Sequence, residues 1–299
     1  MNAPTTRQKW TVLTLTASAR EHLTTRGFDE ARLTVDLLLA NVLRISRLEL
    51  YLQYDRPVTA TEIRIFKDLL KRRLRHEPLQ YILGETEFMG LALKVDQNVL
   101  IPRPETELLA EKALETIEDL PPGPARVLDI GTGSGNIAIA LAHFAPETHV
   151  TAIDVSENAL TVAAENVARH GLKNVTLQKL DLFGEIPGDR QFSLVVSNPP
   201  YVPADEFEQL QPEIREFEPR RATTDDADGF RFINRISGMA GSYLVPGGAL
   251  IVEIGYGQSA TALDIMRGAG LLNVEIFQDY GSIPRVIRGW QPGGGAPTG

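Results

Sequence analysis

A chain of 299 residues, 43% hydrophobic and 23% charged, carries enough apolar material for a sizeable core, which excludes fibrous, collagen-like and mainly disordered classes. Cysteine is absent and the five histidines, His22, His76, His143, His149 and His170, show no metal-ligand spacing. Disulfides, thiolate metal sites and thiol nucleophiles are thereby excluded, and no metal is expected. The formal net charge of −9 conceals an asymmetry: residues 1–84 carry 14 Lys and Arg against 9 Asp and Glu, whereas residues 85–299 carry 16 against 30. No apolar run approaches the ~20 residues of a membrane span. The opening MNAPTTRQKWTVLTL lacks a cleavable signal pattern, so a cytoplasmic, monomeric protein without a membrane partner is expected.

From Thr11 to Leu83 apolar residues recur at three- and four-residue spacing, as in Val35, Leu38, Leu39 and Val42, then Ile63, Phe66, Leu70 and Leu74. This predicts a small helical bundle, residues 1–84, with Pro78 ending its long basic helix. Its run Lys71, Arg72, Arg73 and Arg75 reads either as a solvated helix face or as a surface for docking a substrate. After Gly84 the period falls to two around Gly90, which predicts a β-hairpin linker over 85–102. From 103 to 290 helical stretches alternate with seven short apolar runs, the pattern of a parallel sheet covered by helices on both faces. The class expected is therefore α/β, Rossmann-like, with a helical N-terminal bundle. The last two strands, 274–279 and 285–290, are separated by five residues, too few for a parallel crossover, so one of them must run antiparallel. The tail, 291–299, has no core-forming residue and is expected to be disordered.

RVLDIGTGSGN sets a glycine-rich turn between a buried strand and a helix. There the backbone can approach a ligand and the helix N-terminus offers free amide donors. A dinucleotide fingerprint starting at Gly131 needs glycine at 136, where Asn136 stands. The pattern present, Asp129, Gly131, Thr132, Gly133, Ser134 and Gly135 in Asp-x-Gly-x-Gly-x-Gly order, resembles the first motif of class I methyltransferases, which bind S-adenosylmethionine. That resemblance implies that Asp154 with Val155, ending the second strand, serves the ribose. It also implies that Asp181, ending the third strand, serves the adenine amino group, with Leu182 or Phe183 against the ring. Such sites lie at strand carboxyl ends, where open α/β sheets bind ligands.

FSLVVSNPPYVP places Asn198, Pro199, Pro200 and Tyr201 directly after the fourth strand. Two prolines remove backbone donors and stiffen the turn, leaving carbonyls free to accept. A planar nitrogen with a conjugated lone pair attacks a methyl sulfonium poorly unless it is held in line. Asn198 Oδ1 and the Pro199 carbonyl can accept the two N–H groups of such a nitrogen, while Tyr201 packs on the flat group; positioning then replaces a strong base. Glutamine or asparagine amides and adenine amino groups both satisfy this chemistry. Adenine in duplex requires base flipping and a basic surface, and the net acidity of residues 85–299 disfavours it.

EFMGLALKVDQNVLIPRPETE at 87–107, with DIGTGSGN, SNPPYVP and DYGSIPRVIRG, is similar to the bacterial protein-glutamine N5-methyltransferases that modify peptide chain release factors, the PrmC/HemK family. The resemblance covers about residues 10–290. It implies S-adenosylmethionine as cofactor and the glutamine of the Gly-Gly-Gln loop of class 1 release factors as substrate. Sister enzymes acting on a ribosomal-protein glutamine share NPPY but carry a different sequence where PRPETE stands. Pro102, Arg103, Glu105 and Glu107 then shape the peptide entrance, although Pro104 with two early glutamates is also an ordinary helix start. Met89 and Leu182 stand where the family usually has an aromatic residue.

Overall fold

Thr11, Ser46 and Thr59 each accept a hydrogen bond from the backbone three residues on, and the side chains of Thr14, Glu49 and Glu62 return it, so three capping boxes start three helices. The computed structural model describes residues 10–121, 123–183 and 191–293. It divides into two compact units, 1–83 and 84–299.

The first unit comprises α1 (Val12–Thr24), α2 (Ala31–Leu43), α3 (Arg47–Leu52), α4 (Ala60–Arg73) and α5 (Leu79–Leu83). Leu23, Val35, Leu38, Leu39, Leu50 and Phe66 fill its core. Within that core α2 carries a fully buried carboxylate, Asp36. Arg20 and Tyr51 donate to its two oxygens, and Arg47 stands 3.5 Å away. The basic helix α4 ends at Arg73, before the expected Pro78, because His76 adopts φ 64° and the chain reverses there. The Arg72 guanidinium grips Glu77 across that reversal. Arg73 lies 4.7 Å over the Phe28 ring and donates to the Glu77 carbonyl. Two of the four residues of the basic run thus fasten the unit internally.

The second unit opens with an antiparallel hairpin of β1 (Glu85–Phe88) and β2 (Leu91–Lys94). Met89 (φ 49°) and Gly90 (φ 76°) form its turn, the double left-handed geometry that matches strand twist. After α6 (Pro104–Asp119) come β3 (Arg126–Ile130), α7 (Asn136–Phe144), β4 (His149–Asp154), α8 (Glu157–Arg169), β5 (Val175–Lys179) and β6 (Phe192–Ser197). Three short helices follow, α9 (Ala204–Phe207), α10 (Pro212–Phe217) and α11 (Arg220–Thr223). The chain ends in α12 (Arg231–Tyr243), β7 (Leu244–Glu253), α13 (Ser259–Gly268), β8 (Leu272–Gln278) and β9 (Pro284–Trp290).

The seven-stranded sheet has the order β5-β4-β3-β6-β7-β9-β8. β9 is the antiparallel strand anticipated from the short final connection, pairing with β7 and β8. Alternate residues of the central strands serve opposite layers. Leu128, Val195, Leu250 and Val252 pack with Ile236 of α12 and Met266 of α13. Val127, Leu194, Val196 and Ile251 pack with Leu109 of α6 and Leu141 of α7. The connection leaving β3 runs to β4 on one side, while β6 is joined onward to β7 on the other, which opens a crevice at the carboxyl ends of β3 and β6. The expected disorder of residues 291–299 falls largely on 294–299, outside the described residues.

Removing the buried carboxylate while its donors remain should loosen the bundle locally. Asp36→Ala is expected to lower the opening free energy of α1 and α2 amides by about 2 to 3 kcal/mol, measured by native-state hydrogen exchange.

Candidate functional site

A cleft lies in that crevice. Its floor is the glycine loop, where the amides of Gly131 and Thr132 donate to the Ile153 carbonyl at 2.9 and 3.0 Å and tie the turn to β4. Gly131 and Gly133 have φ of 75° and 55°, and a Cβ at either would meet nothing within 4 Å. Gly135 has a different reason: at φ 82°, its Cβ would stand 3.1 Å from Ile139 Cδ1 and 3.3 Å from Ala163 Cβ, so it lets α7 approach α8.

Asp154 lines the cleft, with Oδ2 accepting from the Gly133 amide at 2.9 Å and Oδ1 from Ser156 at 2.8 Å. Burial raises its pKa, while these amides and the nearby positive charge of Arg221 work against the rise. Val155, Asp181 and Leu182 also line the cleft. Asp181 holds its own turn through the Phe183 amide at 2.9 Å. Leu182 is buried, whereas Phe183 is absent from the lining and stands edge-on to Phe232 with Arg231 4.5 Å over its face.

Asp129 sits beneath the loop. It is fully buried, does not line the cleft, and accepts from the Thr132 hydroxyl at 2.7 Å. Burial pushes its pKa up to about 7, with Thr132 opposing and the charge of Asp154 adding to the rise. It supports the loop from below.

At the end of β6 the Ser197 hydroxyl donates to the Ile130 carbonyl at 2.8 Å, fixing the two strand ends side by side. Asn198, Pro199 and Pro200 then line the cleft. Asn198 Nδ2 donates to Thr106 Oγ1 at 3.0 Å, and Asn198 Oδ1 has no hydrogen-bond partner among the described residues. Tyr201 turns away from the lining. Its hydroxyl donates to Glu253 Oε1 at 3.2 Å, its carbonyl accepts from Gln258 Nε2 at 2.9 Å, and Gly255 leaves room for its ring. Burial and the negative charge of Glu253 hold the phenol protonated.

Pro102 and Arg103 line the cleft, and Arg103 donates to the buried Glu218 at 2.7 Å. Pro104 is the first residue of α6, with Glu105 and Glu107 in its first turn. Glu107 accepts from the Met89 amide at 2.6 Å, which fastens the hairpin turn, and neither Glu105, Glu107 nor Met89 lines the cleft. The sequence reading missed Thr106, Glu218, Arg221 and Glu253. Thr106 lay inside the quoted PRPETE run; the others sit on short helices or a strand end whose partners are distant in sequence.

Glu253 is 2% exposed. Burial pushes its pKa from 4.5 up to about 7, against the polar influence of the Thr106 hydroxyl, the hydrogen bond from Tyr201 and the charge of Arg285, with Glu105 adding to the rise. Between those two values the folded chain holds the proton and the unfolded chain has lost it. Stability therefore falls as pH rises through this window. Glu253→Gln has no charge to bury, so its Tm relative to the parent should climb between about pH 5 and about pH 8, as scanning calorimetry at several pH values would show.

The family described as PrmC N-terminal domain matches residues 14–84, and the methyltransferase small domain matches residues 106–213. A release factor glutamine methyltransferase of Geobacter sulfurreducens is 42% identical over 280 residues, 94% of this chain and 96% of the relative. One from Chlorobaculum tepidum is 39% identical, covering 93% of this chain and 96% of the relative. Among solved structures, a methyltransferase from Pyrococcus furiosus superposes with a TM-score of 0.52 at 19% identity, over 74% of this chain and 98% of that one. The hMettl16 catalytic domain, bound to MAT2A 3′UTR hairpin 6, gives 0.55 at 18% identity over 74% of this chain and 82% of that one. These two likenesses concern the fold alone. With a loop, a cleft and an Asn-Pro-Pro-Tyr turn arranged as described, and with relatives this similar along nearly their whole length, the chain belongs to the release factor glutamine methyltransferase family.

Proposed function

We propose that the cleft binds S-adenosylmethionine and that this enzyme methylates the side-chain amide nitrogen of the glutamine in the Gly-Gly-Gln motif of class 1 peptide chain release factors. The observation that carries this reading is the Asn198 carboxamide, tethered through Nδ2 to Thr106 so that Oδ1 is left for a substrate N–H.

The residues present fit the cofactor. Gly131 and Gly133 leave open space where side chains would intrude, and the Ser134 hydroxyl, 1% exposed and lining the cleft, has no partner among the described residues. Thr132 and Ser134 would face the amino-acid end, with Gly135 closing the turn behind them, Asp154 the ribose hydroxyls and Asp181 the adenine amino group. Val155 and Leu182 would flank the ring, and Asp129 would hold Thr132 in place. When bound, S-adenosylmethionine supplies a methyl group on a positively charged sulfur.

Asn198 Oδ1 and the Pro199 carbonyl each accept one N–H of the substrate amide, turning its nitrogen toward the methyl donor. Restricting the amide in this way substitutes orientation for basicity. Pro200 keeps the turn rigid and Tyr201 anchors it from behind through Glu253. Pro102 and Arg103, braced by Glu218, form the entrance beside Glu105. The names of the relatives favour glutamine over adenine, as does the acidic balance of residues 85–299. A release-factor substrate places the reaction in the cytoplasm, and residues 1–84 serve as the docking domain.

Incubation with labelled S-adenosylmethionine and either recombinant release factor or DNA tests the assignment: label should appear on the Gly-Gly-Gln glutamine, and label on DNA would overturn it. Asn198→Ala should raise the barrier by about 3 kcal/mol while cofactor affinity, followed by calorimetry, stays near the parent value. Asp154→Ala should do the reverse, weakening cofactor binding by about 1.5 to 3 kcal/mol through loss of a charged acceptor.

A further inference from the structure

Pro199 and Pro200 have no N–H to donate, and their rings hold φ near about −65°. A displacement at one end of such a pair is passed to the other, because the φ rotations that would absorb it are locked. The Pro199 carbonyl, second acceptor for the substrate amide, is therefore placed by whatever holds the main chain at Tyr201.

That hold is a single buried carboxamide at the start of α13. Gln258, 8% exposed, donates from Nε2 to the Tyr201 carbonyl at 2.9 Å and to the Gly229 carbonyl at 3.5 Å, while its Oε1 accepts from the Gly255 amide at 2.8 Å. It ties together the turn after β6, the loop before α12 and the end of β7. Its orientation is forced, since the Gly255 N–H can only donate and the two carbonyls can only accept. The space round it is reserved as well. A Cβ at Gly229 would stand 2.6 Å from the Tyr201 oxygen and 2.7 Å from Gln258 Nε2, and one at Gly255 would stand 2.9 Å from Gln258 Oε1 and 3.0 Å from Tyr201 Cδ2. Gly229 is set in turn by Asp225, 2% exposed, whose Oδ1 accepts from the Gly229 and Ala227 amides and whose Oδ2 accepts from that of Arg231.

We infer that Gln258 is a positioning residue of the methyl transfer: it stands outside the cleft, and by holding the Tyr201 carbonyl it sets the main-chain position of the Asn-Pro-Pro-Tyr turn and with it the Pro199 carbonyl. The same side chain steadies the loop that follows Pro219, Arg221 and Ala222, which line the cleft. This inference rests on the proposed function, because it specifies how the second acceptor for the glutamine N–H is kept in place.

Two variants attack the contact from opposite sides. Gln258→Met keeps an unbranched chain and removes donor and acceptor together. Gly229→Ala leaves Gln258 intact and drives a methyl group between it and Tyr201, so either variant that folds tests the same bond. Calorimetric titration with S-adenosylmethionine counts the binding-competent molecules and gives Kd in one measurement. Per competent molecule, each variant is expected to lower kcat on release factor about 10²-fold, the scale of a reacting group misplaced by an ångström, with Kd for S-adenosylmethionine within about threefold of the parent. A role confined to stability would lower the number of competent molecules and leave kcat for each unchanged. Independently of turnover, Tyr-Val occurs once in the chain, at 201–202, so isotopic labelling of tyrosine carbonyl carbons and valine nitrogens yields one resonance for this peptide. It should move upfield in Gln258→Met, as a carbonyl does on losing a donor. An unmoved Tyr201 carbonyl, or a kcat for a folded variant within about twofold of an active parent, would overturn the inference. A parent inactive on release factor whose Tyr201 carbonyl nevertheless moves in Gln258→Met would uphold the anchoring and refute the substrate.

Discussion

The hydrogen bond from Asn198 to Thr106 joins the end of β6 to the first turn of α6, and the amide chemistry proposed for the cleft depends on it. An amide nitrogen is a weak nucleophile because its lone pair is shared with the carbonyl, and two acceptors restrict it only while both stay acceptors. The Pro199 carbonyl is fixed by the backbone. The Asn198 carboxamide is not, since rotation by half a turn exchanges its oxygen for its nitrogen with almost no change in shape. Its orientation has to come from outside the turn. The fold provides this because α6 packs across β6, β7 and β9 and brings a buried threonine hydroxyl to the strand end.

Three buried acids surround the cleft: Asp129 under the loop, Glu218 behind the entrance and Glu253 behind the turn. Each has its pKa raised chiefly by burial. None is an efficient way to stabilise a fold, because desolvating a carboxylate costs more than most neutral hydrogen bonds return. Two of them orient a group that lines the cleft, Asp129 the Thr132 hydroxyl and Glu218 the Arg103 guanidinium, whereas Glu253 anchors the phenol of Tyr201 behind the turn. Perturbed carboxyls gathered round one cleft are what a site built on orientation requires.

Much of this was legible in the sequence. The glycine spacing, the carboxylates at successive strand ends and the five-residue final connection each express a local geometric requirement, and the sheet with its antiparallel β9 follows from them. What stayed hidden depends on partners far apart in the chain. Thr106 reads as an ordinary helix residue until Asn198, 92 positions on, is seen to donate to it. Glu253 reads as the last residue of an apolar strand. Helices α9 to α11 have four to six residues each, too short to show a period, yet that segment delivers Arg221 to the cleft and Glu218 to the Arg103 guanidinium. Tyr201 was expected against the substrate, and nothing local says that its hydroxyl turns back toward β7.

Charge counting has a related weakness in the N-terminal unit. The surplus of basic residues over 1–84 suggests an electrostatic docking face, but a guanidinium contributes to an external field only to the extent that its own protein leaves it unpaired. Arg72 is bound by Glu77, and Arg73 is laid over Phe28 with its donor on the Glu77 carbonyl. Lys71 pairs with Asp68 at 3.0 Å in an exposed contact, which holds it weakly and is screened by salt. Of the run, Lys71 and Arg75 are the exposed members. The same unit exposes Leu48 and Leu52 on α3 by 69% and 77%. The basic run therefore leaves fewer free cations at the surface than its sequence suggests, so the charge count of the unit overstates the field it can present to a partner.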